Sequence, residues 1–315
     1  MDVRNPRGNG TRLSQTRGLD PVSAAMTFQL PAGATDCHVH IFEPDLFPYS
    51  ARRSYTPAVA TVADLVAFRA QLGIDRVVLV QPSVYEDDNR GLLRGLAELG
   101  PLAARGIAVI DPAAVSDEEL ASLKGAGVVG VRVNLHTGGD DRGAAAVSAV
   151  EATIARVSDH GLAVQIYVEL ALVERLAATI AASPVPVILD HFGGAKAAHG
   201  LGQPGFSTLL RLLEGGNTWV KLSGIYRTSD ASPDYEDVAG ITRALVRANP
   251  DRLVWASDWP HTGGGADRKA RKPSEIEPFR LVDNVHLLAR LREWIGDDAI
   301  LQNILVGNAA KIFRF

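Results

Sequence analysis

The chain has 315 residues, of which 46% are hydrophobic and 22% charged, so it is long and apolar enough to bury a sizeable core. Its formal charge of −4 argues against a nucleic-acid or anionic-membrane surface, which needs a basic excess. Cys37 is the single cysteine, which excludes an intrachain disulfide and fits a reducing compartment, and the apolar runs are too short to span a membrane. We therefore expect a cytoplasmic protein with no nucleic-acid or membrane partner.

The first thirty residues differ in composition from the rest. They place four arginines among glycine, asparagine, serine and threonine and offer little to bury, which predicts a mobile N-terminal tail over residues 1–30. No apolar stretch typical of a secretory signal occurs there, and Asp2 and Asp20 disfavour the alternative of an arginine-rich transit peptide. We expect residues 31–315 to form one domain.

From residue 34 onward, short β-branched runs alternate with helix-length amphipathic segments. The predicted strands are Thr35–Ile41, Arg76–Gln81, Gly106–Asp111, Val128–Asn134, Ala163–Val168, Val185–Asp190, Trp219–Ser223 and Leu253–Ser257. The predicted helices include Val62–Leu72, Arg90–Leu99, Asp117–Lys124, Ala144–His160, Leu170–Ala182 and Tyr235–Ala248, and Ser116 is a candidate cap for the third of them. The alternation predicts an α/β fold, a single (β/α)8 barrel of the TIM type. A doubly wound sheet is disfavoured because the first strand ends in histidines and not in a glycine-rich loop.

Chemistry in such barrels lies at the carboxyl ends of the strands, so polar residues there are the candidates for a site. Side chains alternate between the faces of a strand, which predicts that His38 and His40 share one face while Cys37 and Val39 point to the other. If Cys37 and Val39 pack against the helices, both imidazoles project into the barrel mouth. A single strand histidine is usually a packed core residue, but two at this spacing favour a site.

His191 follows the sixth strand and Asp258 follows the eighth. Taken singly, His191 is a packed histidine and Asp258 a helix N-cap. Together with His38 and His40 they bring three imidazoles and one carboxylate to the same end of the barrel. This set either binds a divalent metal through nitrogen and oxygen, or polarises a carbonyl group while Asp258 takes a proton from water.

Further strand-end residues are candidates for substrate binding. Arg132 ends the fourth strand and Arg227 follows the seventh, and each is either a surface cation or a ligand for a substrate carboxylate, which a guanidinium binds with two hydrogen bonds. His261 faces either substrate or solvent. Side chains suited to substrate hydroxyl groups are those of Gln81, Ser83, Asn89 and Asn134.

Three segments carry a resemblance to a known family: Asp36 to Phe42, Asp190 to Gly193 and Ser257 to His261. In this order they resemble the amidohydrolase superfamily, and more narrowly its branch of 2-pyrone-4,6-dicarboxylate lactonases, sugar lactonases and galactarolactone isomerases. The similarity runs from about Pro31 to Phe315.

The resemblance implies roles for the candidate residues. Asp258 would be the general base, and His38, His40 and His191 would polarise the carbonyl of a small lactone. Tyr167 lies where relatives of this branch carry a tyrosine, and Tyr55 belongs to the matching segments, so both are expected at the substrate pocket.

Binuclear members of the superfamily bridge their metals with a lysine or glutamate from a middle strand. The fourth strand here has no lysine, and Glu169 after the fifth is an unsupported candidate, so we expect no binuclear centre. Two alternatives stay open, no metal or one divalent metal, for which zinc is the first choice. Its ligands would be His38, His40, His191 and Asp258.

The resemblance also bears on the substrate and the reaction. The dicarboxylate lactonases carry a Lys-Arg pair after the fourth strand, where this chain has His136 to Gly139, so an acidic or sugar-derived lactone other than the pyrone is expected. Hydrolysis is the predicted reaction. Lactone isomerisation on the same base and a metal-dependent decarboxylation are the alternatives, and a non-catalytic sugar-acid binder is disfavoured because Asp258 is present. The loop from Thr262 to Gly265 is a candidate lid, followed by a basic run from Asp267 to Lys272 that reads as a solvated face. The sequence sets no oligomeric state.

Overall fold

The computed structural model describes residues 29–135, 143–264 and 271–315. All but the last two residues of the predicted N-terminal tail lie outside this part, and so do the segment from His136 to Gly139 and most of the basic run that follows the candidate lid. Within the described residues, no helix is both long and apolar enough to cross a membrane.

Eight parallel strands in the described residues form one sheet, in which each strand pairs with the next along the chain. The sheet closes on itself after the last strand, where Trp259 bridges Val39 and its carbonyl oxygen accepts a hydrogen bond of 2.9 Å from the His40 N–H. This confirms the predicted (β/α)8 barrel. The strands are β1 (Thr35–Val39), β2 (Arg76–Val80), β3 (Ala104–Ala108), β4 (Val128–Asn134), β5 (Ala163–Tyr167), β6 (Val187–Leu189), β7 (Thr218–Ser223) and β8 (Leu253–Ala256).

Helices lie between the strands, as the sequence predicts. The helices are α1 (Val62–Leu72), α2 (Arg90–Leu99), α3 (Asp117–Gly125), α4 (Gly143–Val157), α5 (Leu170–Ala181), α6 (Phe206–Glu214), α7 (Ile225–Thr228), α8 (Ala239–Ala248), α9 (Asn284–Ile295), α10 (Asp298–Gln302) and α11 (Asn308–Phe313). The bounds of α1 and α2 are those predicted, and Ser116 caps α3 through a reciprocal pair of hydrogen bonds with Glu119. A short parallel pair, Thr56–Pro57 with Ile276–Glu277, lies outside the barrel and was not predicted.

Several predicted boundaries differ from the observed ones for local reasons. β6 begins at Val187 and not at Val185, because Pro186 has no N–H to donate to the ladder. β3 ends at Ala108, because the side-chain amide of Asn89 binds both the N–H and the carbonyl oxygen of Val109. The helices predicted to include His160 and Tyr235 are shorter, because a 3-10 turn replaces the last turn of the first and the first turn of the second.

Two apolar layers surround the strands. One fills the space between strands and helices, and the other fills the barrel interior with side chains such as Val78, Ile107 and Trp219. The chain terminus covers the amino ends of the strands, where the Phe315 ring contacts Arg76 and Arg105, the latter at 4.7 Å from its centroid. The carboxyl ends of the strands, at the other end of the barrel, are therefore available for the candidate site.

Candidate active site

The first strand contains a β-bulge that changes the orientation of Cys37. The register between β1 and β2 shifts between Asp36 and Val39. Cys37 joins the apolar cluster inside the barrel, while Val39 packs in the outer layer. The expectation that Cys37 packs against the helices is therefore wrong, because the extra residue of a bulge breaks the alternation of side chains. His38 and His40 both still face the barrel mouth, where each lies within 4 Å of a carboxylate from beyond the end of β8.

The four predicted catalytic residues meet at the carboxyl ends of β1, β6 and β8. His38 Nε2 and His40 Nε2 lie 3.2 Å apart. Asp258 Oδ1 lies 3.8 Å from the first of these nitrogens and 3.9 Å from the second. The ring centroids of His191 and His38 are 5.0 Å apart. Each of the four residues is at most 6% exposed, so they form one buried cluster.

The Asp258 carboxylate has one oxygen that is held and one that is free. Its Oδ2 accepts hydrogen bonds from Tyr226 Oη at 2.8 Å and from Arg227 Nε at 2.6 Å. Its Oδ1 is buried and has no hydrogen-bond partner among the described residues. Burial alone would raise the pKa of Asp258, but the charge of Arg227 holds that pKa well below its usual range. Asp258 is therefore an ionised carboxylate with one acceptor oxygen available to the cluster.

Burial keeps the three histidines of the cluster neutral. It lowers the pKa of His40 to about 4 and that of His191 to about 3, and it lowers the pKa of His38 well below the ordinary value of 6.5. His40 Nδ1 donates a hydrogen bond of 2.7 Å to the carbonyl oxygen of Val80, so the lone pair of this imidazole lies on Nε2. His191 Nδ1 lies 2.9 Å from Ser223 Oγ, which orients its ring. Neutral imidazoles polarise a substrate through hydrogen bonds and not through charge.

A lysine that the sequence reasoning missed lies beneath these histidines. Lys221 on β7 is 0% exposed, and its Nζ lies 2.7 Å from Gln165 Oε1, 3.2 Å from His38 Nδ1 and 3.4 Å from Asp190 Oδ1. Gln165 also donates a hydrogen bond of 2.9 Å to Asp190 Oδ2. The available signal was the position of the lysine in the middle of a barrel strand, where alternate residues face the interior.

Three predicted substrate-binding residues border the cluster. Arg132 Nε lies 3.6 Å from Asp190 Oδ2, and its guanidinium carbon lies 5.5 Å from the ring centroid of Tyr167. Tyr167 meets His191 edge-on, with 4.9 Å between the ring centroids. Arg227 completes this group through its hydrogen bond to the Asp258 carboxylate. Two guanidinium groups therefore flank the buried cluster.

His261 lies behind the cluster and does not face solvent. It is 5% exposed, and burial lowers its pKa to about 4. Its Nε2 accepts a hydrogen bond of 3.1 Å from Asn284 Nδ2, which leaves the proton of the neutral ring on Nδ1, 3.4 Å from Tyr226 Oη. Tyr226 in turn donates to Asp258, so His261 supports the carboxylate through one intermediate residue.

Two other predicted substrate-binding residues, Gln81 and Asn89, use their side-chain amides on the backbone. Gln81 donates its amide to two carbonyl groups of the loop after β2, at 3.2 and 2.8 Å, and Asn89 uses its amide on the backbone of Val109. Both amides organise that loop. The remaining three are half-buried near the mouth-side loops: Tyr55, Ser83 and Asn134. Their contacts with substrate stay predictions.

A family model described as amidohydrolase matches residues 35–315. The chain belongs to the amidohydrolase family. The resemblance inferred from the strand-end segments is thereby confirmed.

Curated relatives of this amidohydrolase match nearly its whole length. It is 33% identical over 293 residues to a 4-sulfomuconolactone hydrolase of Rhizobium radiobacter, covering 92% of this chain and 93% of the relative. It is 36% identical over 302 residues to a 2-pyrone-4,6-dicarboxylate hydrolase of Comamonas testosteroni, covering 91% and 92%. It is 29% identical over 287 residues to a D-galactarolactone isomerase of Agrobacterium fabrum, covering 90% and 92%.

Solved structures show the same fold. A ligand-free crystal structure of an Agrobacterium tumefaciens protein superposes with a TM-score of 0.74 at 26% identity, covering 91% of this chain and 97% of that one. A probable 2-pyrone-4,6-dicarboxylic acid hydrolase from Acinetobacter baumannii gives 0.75 at 24% identity, covering 90% and 100%.

The donor atoms of the amidohydrolase cluster fit one divalent metal by type. In the described residues, ligand atoms of His38, His191 and Asp258 lie within 4.8 Å of one another, and zinc takes such nitrogen and oxygen ligands. The buried and unbonded Asp258 Oδ1 is an acceptor suited to a cation. His40, predicted as a fourth ligand, is not part of this group, and Glu169 is exposed at the start of α5.

A cavity of about 500 Å³ opens beside the cluster and is lined by Tyr167, Tyr226, Arg227, Lys196 and Arg280, among others. Lys196 Nζ donates a hydrogen bond of 2.5 Å to the carbonyl oxygen of Arg227, and the Arg280 guanidinium lies 5.0 Å from the Tyr226 ring centroid. Three cations, together with Asp230 and Asp237, thus line the cavity beside Asp258. A larger cavity of about 660 Å³ lies between α1 and residues 279–285, and neither cavity is lined by the four cluster side chains themselves. The smaller one is lined by Tyr226 and Arg227, which hydrogen-bond to Asp258, and is therefore the better candidate for a substrate pocket.

Proposed function

We propose that this amidohydrolase hydrolyses a small lactone that carries an anionic group, with Asp258 as the general base. The carboxylate of Asp258 carries the proposal, because Oδ2 is held by Arg227 and Tyr226 whereas Oδ1 is buried and unbonded within the described structure. Such an oxygen accepts a proton from water without first breaking a contact. The relatives named hydrolases of 4-sulfomuconolactone and 2-pyrone-4,6-dicarboxylate support this chemistry.

In the proposed reaction, Asp258 Oδ1 takes a proton from water while the water oxygen bonds to the carbonyl carbon. The carbonyl electrons move to its oxygen, which is stabilised by imidazole hydrogen bonds and by the positive potential of Arg132 and Lys221. The ring C–O bond then breaks, and the proton on Asp258 passes to the leaving alkoxide to give a hydroxy acid. General base catalysis contributes about 10²–10⁴-fold, and each oxyanion donor about 10²–10³-fold.

A divalent metal, when bound by His38, His191 and Asp258, would polarise the carbonyl as a Lewis acid. None of the steps above depends on it. One zinc ion and no metal are both compatible with the proposal.

The cations of the cavity support an anionic substrate. Lys196, Arg227 and Arg280 line the approach to the carboxylate, and guanidinium and ammonium groups bind carboxylates and sulfonates. Arg227 also lowers the pKa of Asp258. A substrate anion that binds Arg227 offsets its charge, which raises the basicity of Asp258 when the substrate is in place.

Isomerisation of a lactone on the same base is the second candidate, and the relative named D-galactarolactone isomerase favours it. There Asp258 would take a proton from substrate carbon or oxygen and return it elsewhere, without net addition of water. As part of the proposal, the enzyme works in the cytoplasm, because its single cysteine suits a reducing compartment, and it binds a small-molecule lactone but no nucleic acid or membrane.

The test is the Asp258→Asn variant, assayed on lactones with sulfonate, carboxylate or hydroxyl substituents. We expect kcat to fall by about 10²–10⁴-fold, because the general base is lost while shape and hydrogen bonding are kept. Asp159→Asn is the matched control, since Asp159 is exposed in the 3-10 turn after α4. Near-normal turnover of a folded Asp258→Asn protein contradicts the role of Asp258.

Product analysis by NMR separates the candidate reactions. A ring-opened hydroxy acid with one oxygen from labelled water supports hydrolysis, and a new lactone without label supports isomerisation. Release of carbon dioxide points to decarboxylation. The metal content of the purified protein, and its activity after treatment with a chelator, decide whether a metal takes part.

A further inference from the structure

Lys221 is buried inside the barrel, and its ammonium group makes three specific polar contacts. It is 0% exposed, and its Nζ contacts Gln165 Oε1, His38 Nδ1 and Asp190 Oδ1 at 2.7, 3.2 and 3.4 Å. A buried ammonium is costly unless it is paired and hydrogen-bonded. Asp190 supplies the countercharge, so the contact with the histidine needs a separate explanation.

The contact with Lys221 determines which nitrogen of His38 carries the proton. A lysine ammonium only donates hydrogen bonds, so His38 Nδ1 must offer its lone pair. The single proton of the neutral imidazole then lies on Nε2. Asp190 Oδ1 lies 3.3 Å from the same Nδ1 and 3.4 Å from Lys221 Nζ, so the ammonium can supply the proton that this oxygen accepts. The assignment of His38 then depends on what faces its Nε2.

The neighbouring histidine agrees with that assignment. His40 donates its Nδ1 proton to the carbonyl oxygen of Val80, and its Nε2 therefore carries a lone pair. This lone pair faces His38 Nε2 at 3.2 Å, where it accepts the proton that Lys221 has placed there. With the opposite tautomer of His38, two lone pairs would face each other and an N–H would face an ammonium.

We infer that Lys221 is a positioning residue that fixes the proton of His38 on Nε2, so that His38 offers a hydrogen-bond donor to the substrate carbonyl oxygen. The catalytic role of this proton rests on the proposed lactone chemistry, whereas its position on Nε2 follows from the geometry. A divalent metal needs the lone pair of His38 Nε2. That lone pair becomes available only if the proton moves to Nδ1, which faces the Lys221 ammonium. Lys221 therefore also weakens metal binding by this cluster.

The first test reads the tautomer in the wild-type protein. Histidine is labelled with ¹⁵N, long-range ¹H–¹⁵N spectra are recorded at pH 7 without metal, and the His38 signals are assigned by their loss in His38→Gln. We expect a protonated Nε2 and an unprotonated Nδ1 for His38, and the reverse for His40. A protonated Nδ1 on His38 overturns the inference. This measurement needs no lysine variant that folds and no substrate.

The second test measures zinc binding by calorimetry in Lys221→Met, with the exposed Lys124→Met as control. We expect the affinity for zinc to rise by about 10- to 100-fold in Lys221→Met, because second-layer contacts of metal ligands typically have effects of this size. Lys124→Met should match the wild type, and Lys221→Arg should partly restore the weak binding. Unchanged zinc affinity and an unchanged His38 tautomer in a folded Lys221→Met protein overturn the inference.

The kinetic readout then separates positioning from general support. In Lys221→Met, kcat on the best lactone should fall by about 10- to 100-fold while KM changes little, because the lost donor acts on the developing oxyanion. A change of that size in KM, with kcat unchanged, argues against this role. Because the tautomer and the zinc affinity are read without substrate, they remain informative even if the protein opens no lactone.

Discussion

Replacing His261 by asparagine should remove part of the acid sensitivity of folding. His261 has a left-handed backbone with φ of 69°, a conformation that asparagine tolerates better than most residues. Its ring is 5% exposed and is enclosed by Tyr226 and Asn284. Asparagine is small, polar and never charged, so the substitution removes the titrating group with little backbone strain.

The magnitude follows from the shifted pKa of His261. Burial lowers this pKa from 6.5 to about 4, so between these values the unfolded chain binds a proton that the native protein does not. Native stability is therefore fully present above pH 6.5 and is lost as the pH falls towards 4. Between about pH 7.5 and pH 4.5, His261 alone should lower the free energy of unfolding by about 2–3 kcal/mol.

The assay is urea unfolding followed by tryptophan fluorescence at pH 7.5 and pH 4.5. The wild type loses stability on acidification, and His261→Asn should lose about 2–3 kcal/mol less. The exposed His199→Asn is the control and should behave as the wild type. If His261→Asn is as acid-sensitive as the wild type, His261 is not a buried neutral imidazole, and its link to Asp258 through Tyr226 fails with it.

Two further predictions concern activity. Gly224→Ala should lower kcat/KM by about 10²-fold, because its Cβ would lie 2.9 Å from His191 Nδ1 and 3.1 Å from Asp258 Oδ2. Gly216→Ala is the control, since Gly216 also has a positive φ but its added Cβ would approach no atom closer than 3.7 Å. This variant should keep its activity in the same steady-state assay. Lys196→Gln should raise KM by about two- to fivefold for an anionic lactone and leave a neutral lactone unaffected, since one ion pair at an exposed site is lost. Equal KM changes for both lactones would remove Lys196 from the anion site.

The fold was predictable where local chemistry and tertiary packing agree. β-branched runs at barrel spacing gave all eight strands, and the bounds of α1 and α2 match because each helix ends at a glycine. The errors lie where one residue changes the hydrogen bonding. Pro186 delays β6, and the bulge in β1 moves Cys37 to the interior, which no alternation rule predicts.

The histidines and the carboxylate of the candidate site could be predicted from the sequence, but the residues that support them could not. His38, His40 and Asp258 stand at strand ends, where barrel topology brings them together whatever the details of packing. Lys221 was not predicted because its partners are far away in sequence, and His38 lies 183 positions before it. The contact between Lys221 and His38 follows from barrel closure and from the bulge in β1. The sequence around a lysine in an apolar strand does not indicate which distant residue it will contact.

In the proposed reaction, the charges around the cluster let neutral histidines act on an anionic transition state. Around the cluster lie three cations, Lys221, Arg132 and Arg227, and the carboxylates of Asp190 and Asp258. A third buried carboxyl group, that of Asp36, accepts a hydrogen bond from the Ser257 N–H, and burial raises its pKa to about 7. With the imidazoles neutral and Asp36 protonated, one positive charge is left uncompensated in a site of low dielectric, where it attracts a negative charge strongly. A tetrahedral oxyanion would supply such a charge only during the reaction, so this excess favours the transition state over the neutral carbonyl of the substrate. A divalent metal would add two further charges to this excess.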